Sequence, residues 1–97
     1  MITLTALIRC KPGSESHVRT ALLRVARHAA DSEDGTASYF VSESAEGNLF
    51  VTHERYLDQA CLDAHNNGEG AKAFFAAVEG LLEDVQIVSG PELFASE

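Results

Sequence analysis

Thr36-Ala37-Ser38-Tyr39-Phe40-Val41-Ser42-Glu43, Ser44-Ala45-Glu46-Gly47-Asn48, Leu49-Phe50-Val51-Thr52-His53-Glu54-Arg55-Tyr56: this central stretch decides the fold. Its two flanks are rich in Thr, Tyr, Phe and Val, the residues that suit a pleated, half-buried surface. Ala45-Glu46-Gly47-Asn48 has turn chemistry, so the flanks pair as a hairpin across a loop of about four residues. Upstream, Ile2 to Cys10 alternates. Ile2, Leu4, Ala6, Ile8 and Cys10 share one side, and Thr3, Thr5, Leu7 and Arg9 the other, which reads as a strand. Pro12-Gly13 ends it. Ser14 is placed to cap a helix over 15–30, with Glu15 in its first turn and Val18, Ala21, Leu22, Val25, Ala26 and Ala29 at helical spacing.

Downstream, Asp58 can cap a short helix over 59–66, broken by Asn66-Asn67-Gly68. A second helical piece over 69–82 buries Ala71, Phe74, Phe75, Val78 and Leu81. Val85 to Val88 is a short last strand, ended by Gly90-Pro91, and the tail carries Leu93 and Phe94, apolar residues wasted on a frayed end. The order is β-α-β-β-α-β. It predicts a ferredoxin-like α+β fold, a four-stranded antiparallel sheet with helices on one face, as one domain over residues 1–97. The other sheet face, with Leu7, Leu49 and Val51 beside Thr3, Thr5, Arg9 and His53, has no covering element. A homodimer packed through it is the simplest way to bury those residues; a solvated face is the alternative.

The chain has 97 residues, 45% of them hydrophobic and 23% charged, the composition of one globular domain. A chain this short buries only about two-thirds of its unfolded surface, so association would add to a modest stability. Seven Lys and Arg against fifteen Asp and Glu give a formal charge of -8. That balance opposes nucleic-acid binding, which needs clustered cations, and docking to an anionic membrane. No apolar run approaches the ~20 residues of a membrane span, and the N-terminus lacks a basic segment leading into an apolar one. The expectation is a cytoplasmic protein with Cys10 and Cys61 as free thiols.

One segment carries a likeness. In Phe50–His65 an apolar strand leads into Glu54-Arg55-Tyr56, an acidic turn, an Ala-rich helix and Ala64-His65; Phe74-Phe75 follows, and Glu33-Asp34-Gly35 precedes Tyr39. This resembles the antibiotic-biosynthesis-monooxygenase-like family of dimeric α+β barrels, over roughly residues 2–90. The family pattern is Glu-x-Trp, an Ala-His helix, a later aromatic pair, and acidic-x-Gly followed by Tyr; Tyr56 stands where Trp is usual. The resemblance implies a dimeric barrel and a pocket between sheet and helices for small polycyclic or quinol-type aromatics. Some members oxygenate these with dioxygen and neither metal nor flavin. The haem-degrading branch uses an Asn on the first strand, a Trp and a His. Here Ala6 stands near the first and the chain has no Trp.

His65, Cys61 and Leu62 share one apolar helix face, where a neutral imidazole can act as a general base; equally, His65 can cap the helix by bonding a carbonyl. Glu54 and Tyr56 share a strand face with Phe50 and Thr52, so a helix-facing Glu54 needs a partner: a hydrogen bond or an ion pair, within the subunit or across the dimer. Tyr56 and Tyr39 can bond a substrate oxygen or serve as core tyrosines. His65, Tyr56 and Tyr39 are thus the catalytic candidates, with Phe50, Glu54, Cys61, Phe74 and Phe75 about the substrate pocket. Cys61 and His65 alone do not make a metal site. His17 and His28 lie on the polar face of the first helix, solvated, and His53 faces the open side. No phosphate loop, Ser-His-Asp order or nucleotide fingerprint seats NAD, FAD or ATP, so no cofactor is expected. Two functions remain. One is a cofactor-independent oxygenase of a phenol or hydroquinone, with dioxygen as co-substrate. The other is a non-catalytic ligand-binding or dimerising module of the same fold.

Overall fold

The computed structural model describes residues 1–96. The elements are β1 (Ile2–Cys10), α1 (Glu15–Ser32), β2 (Thr36–Glu43), β3 (Leu49–Tyr56), α2 (Gln59–Asn66), α3 (Glu69–Ala77) and β4 (Leu82–Pro91). The strands form one antiparallel sheet in the order β2-β3-β1-β4, the ferredoxin-like arrangement. The covered face of the sheet carries Leu4, Ala6, Ile8 and Cys10 of β1 with Phe50, Thr52, Glu54 and Tyr56 of β3, all buried. Against it α1 buries Val18, Ala21, Leu22, Val25 and Ala29, a stripe at helical period. Leu62 of α2 and Phe74 of α3 complete the core.

The open face carries Leu7, Phe40 and Val88, which are 39%, 62% and 73% exposed. In the single subunit the tail residues Leu93 and Phe94 are exposed as well. Among the described residues no helix is long and apolar enough to cross a membrane.

Several local expectations need correction. Ser14 does stand at the start of α1, but its hydroxyl donates to the Lys11 carbonyl (2.6 Å) instead of capping. The carboxylate of Glu15 turns back and accepts the Gly13 N–H in its place. Asp58 caps α2 as expected, accepting from the Cys61 N–H at 2.9 Å. The second helical piece ends at Ala77 rather than 82, and Gly80, at φ +78°, makes the turn that follows. That turn releases Leu82 into a strand much longer than 85–88, because β4 pairs with β1 from Ile2↔Pro91 to Cys10↔Leu82. His17 is not merely solvated: its Nε2 lies 2.8 Å from the Ala77 carbonyl and ties α1 to α3. His28 is half-buried against Gly70, where an added Cβ would come within 2.6 Å of its ring.

Candidate active site

Three elements bring polar side chains to the covered face. On β3, period-2 alternation points Thr52, Glu54 and Tyr56 inward together. Glu54 is only 3% exposed, a burial a carboxylate tolerates only with partners. It has them in its own subunit. Thr52 Oγ1 donates to Glu54 Oε2 at 2.6 Å, and the Tyr56 hydroxyl donates to Oε1 in a very short bond. On α2, His65 is buried with Nδ1 2.7 Å from Glu33 Oε1, just beyond the end of α1. Thr36 Oγ1 also donates to Glu33 Oε1, at 2.8 Å, and fixes that carboxylate. The far side of the imidazole faces Glu54, with Nε2 3.6 Å from Oε1. An ionised carboxylate only accepts, so Nδ1 carries the proton toward Glu33, and Nε2 is left to exchange one.

The third element is β2. Its pairing with β3 shifts between Thr36 and Ser38, so that Tyr39 rather than Ser38 stands opposite Glu54. This bulge aims Tyr39 at the cluster. Its ring centroid lies 5.7 Å from that of His65, and the Tyr56 ring 5.3 Å from it. Burial, then the charges of Glu54 and Glu33, push the Tyr39 hydroxyl well above its usual range. Burial, then the hydrogen bond to Glu54, do the same to Tyr56. Both tyrosines therefore remain protonated donors and are unsuited to act as bases.

A cavity of about 70 Å³ opens beside the cluster. Its polar end is Tyr39, Thr52, Glu54, His65 and Asn66; its walls are apolar side chains of β1, α1 and α3. Phe75 and Ile87 line it too and are 53% and 56% exposed, so they form a rim between α3 and β4. The cavity is about half the ~150 Å³ of an apolar cavity known to accept benzene.

The family pattern for antibiotic biosynthesis monooxygenase matches residues 1–77. The chain belongs to that family. YcnE of Bacillus subtilis (strain 168), whose name assigns it provisionally to the monooxygenases, is 31% identical over 83 residues, covering 84% of this chain and 86% of that protein. Among solved structures, Rv0793 from Mycobacterium tuberculosis superposes with a TM-score of 0.90 at 28% identity, covering 99% of this chain and 98% of that one. PA3566 from Pseudomonas aeruginosa gives 0.87 at 28% identity, covering 96% and 94%. Membership in the antibiotic biosynthesis monooxygenase family supports a monooxygenase-like role.

The residues singled out in the sequence fall into three groups. His65, Tyr39, Glu54 and Phe74 line the cavity, and Phe75 is at its rim, exposed rather than buried. Tyr56 stands where this family usually has Trp; it is fully buried and holds Glu54. Phe50 lies wholly in the core and is not on the cavity wall. Cys61 is a free thiol packed so closely on Gly35 that an added Cβ there would collide with its sulfur. Asp58, first by hydrogen bonding, and then burial push that thiol up, away from the thiolate that a metal ligand requires. His65 bonds Glu33 through its side chain and not a carbonyl, so it is not a helix cap. Among the described residues no three His, Cys, Asp or Glu side chains are gathered to hold a metal ion. Sequence reasoning missed Glu33 as the partner of His65, 32 positions away. The one signal was the acidic residue of the acidic-x-Gly segment.

Proposed function

We propose that this chain is a cofactor-independent oxygenase of a single-ring phenol or hydroquinone, with His65 as the base. The observation that carries the reading is the 2.7 Å contact between Glu33 and His65 Nδ1, which leaves Nε2, 3.6 Å from Glu54 Oε1, at the polar end of the cavity. A ring hydroxyl at Nε2 gives up its proton, and the imidazolium formed sits between two carboxylates that stabilise it. The phenolate then reduces dioxygen directly. A ring carbon that bears hydrogen, para to the phenolate oxygen in a simple phenol and ortho to it in a hydroquinone, bonds to one oxygen to give a hydroperoxide. Loss of that hydrogen with cleavage of the O–O bond releases water and leaves a quinone, hydroxylated when the substrate is a hydroquinone. Phenol plus dioxygen becomes quinone plus water, with no external reductant. Tyr39, held protonated, supplies a donor on the oxygen side, while Tyr56 and Thr52 keep Glu54 in place. The working unit is a homodimer joined through the open sheet face, where Leu7, Phe40 and Val88 await cover. A second reading, a ligand-binding module without turnover, is favoured by the small volume of the cavity.

The test is oxygen consumption and quinone absorbance on a panel of single-ring phenols and hydroquinones, with melting curves alongside. The wild type turns over at least one of them, and His65→Ala lowers the rate by ~10²–10⁴ while still folding. Light scattering shows about twice the 10.4 kDa of one chain. Equal rates in the two proteins remove His65 from the chemistry, and a wild type inert on the whole panel supports the binding module.

A further inference from the structure

We infer that Glu54 makes the cavity selective by charge, admitting neutral rings that carry hydrogen-bond donors and rejecting their carboxylated counterparts. The inference rests on the reading of the cavity as a site for an aromatic ring, but it needs binding only. Glu54 is 3% exposed and lines the polar end, and behind His65 stands a second carboxylate, Glu33. Among the described residues no Lys or Arg lines the cavity. The guanidinium of Arg55 bonds Glu92 on the opposite face of the sheet, and Arg19 bonds Glu43. No permanent cation therefore offsets the two carboxylates; the nearest basic groups are the imidazoles of His65 and His28, the latter with Nε2 3.9 Å from Glu33 Oε2.

A ring hydroxyl meets this arrangement as a donor facing acceptors. A ring carboxylate meets it as a further anion, drawn from water into a site without a counter-ion. Repulsion between like charges at such range is weakly screened in a partly buried site, so the penalty falls on the bound state. Thr52 and Tyr56, the groups that bond Glu54, are neutral donors that satisfy the carboxylate without cancelling its charge.

The experiment is anaerobic titration calorimetry, which separates binding from turnover. The probes are hydroquinone against 2,5-dihydroxybenzoate, and catechol against 3,4-dihydroxybenzoate. The wild type binds the neutral member of each pair roughly tenfold or more tightly. Glu54→Gln removes the charge, keeps one acceptor oxygen for Thr52 or Tyr56 while the other hydroxyl turns to accept from the amide, and reduces the preference to within about threefold. Asn66→Arg places a cation on an exposed residue of the same lining, where folding is not at stake, and also reduces the preference by favouring the acids. Equal binding within each pair overturns the inference, as does an unchanged preference in both variants. A neutral ring that binds selectively but is never oxidised leaves the charge selection standing and overturns the oxygenase reading alone. Failure of all four probes to bind overturns both.

Discussion

The same two central strands build both faces of the sheet, yet the faces differ in what they do with polar atoms. On the covered face β1 and β3 present Leu4, Ala6, Ile8 and Phe50, and among them the polar side chains form one closed set. Thr52 and Tyr56 serve Glu54, while Thr36 and His65 serve Glu33. On the open face the partners are stretched along the surface. Arg55 bonds Glu92 at 2.8 and 2.9 Å, Thr3 bonds Glu92 at 2.7 Å, and Thr5 meets His53 at 3.2 Å. Burial makes the difference. Where water is excluded a carboxylate needs every donor it can reach and acts strongly on a nearby imidazole; where water remains, the same groups fix the tail and little else.

The largest effect that distinguishes the faces is steric. Phe50 is 1% exposed and Phe40 62%, on neighbouring strands of one hairpin. Phe50→Ala is expected to lower unfolding free energy by about 3–5 kcal/mol in urea titrations. Phe40→Ala, measured at concentrations where the chain is monomeric, shifts it by no more than ~0.5 kcal/mol and instead weakens self-association. Equal losses of monomer stability would break the comparison.

A smaller effect is electrostatic. Hydrogen bonds from Arg55, then Thr3, hold the Glu92 carboxyl down at about 2, from 4.5. A carboxyl whose folded value is depressed contributes stability above its unfolded value and loses it as pH falls through the folded one. The melting temperature of the wild type therefore exceeds that of Glu92→Gln above pH 4.5, and the two converge as pH approaches about 2. A gap independent of pH would mean that the tail is held by packing and not by this charge.

These contrasts also account for what was legible in the sequence. Alternation in Leu49–Tyr56 assigns each residue to a face, and the helical stripe Val18–Ala29 supplies the cover, so the fold follows from local pattern. Other features were decided by distant parts of the chain. β4 extends from Leu82 to Pro91 because β1 offers a full-length partner, which no property of Leu82-Glu83-Asp84 announces. The bulge that turns Tyr39 inward leaves no mark in the run Thr36–Tyr39. Glu33 meets His65 only because α1 ends beside α2. Phe75, apolar by type, is left at the rim, its ring edge-on to that of Phe74, because its side of α3 faces out beside the cavity mouth.

The central claim is that Glu33 and His65 act as one unit on the covered face. It is tested most directly by oxygen-consumption kinetics of Glu33→Gln, His65→Ala and the double variant on one hydroquinone that the wild type oxidises. Glu33→Gln should lower kcat at least about tenfold with KM little changed, and the double variant should be no slower than His65→Ala, since a positioning residue has nothing left to position. A double variant slowed by the product of the two single effects, or an unchanged kcat in Glu33→Gln, would contradict it.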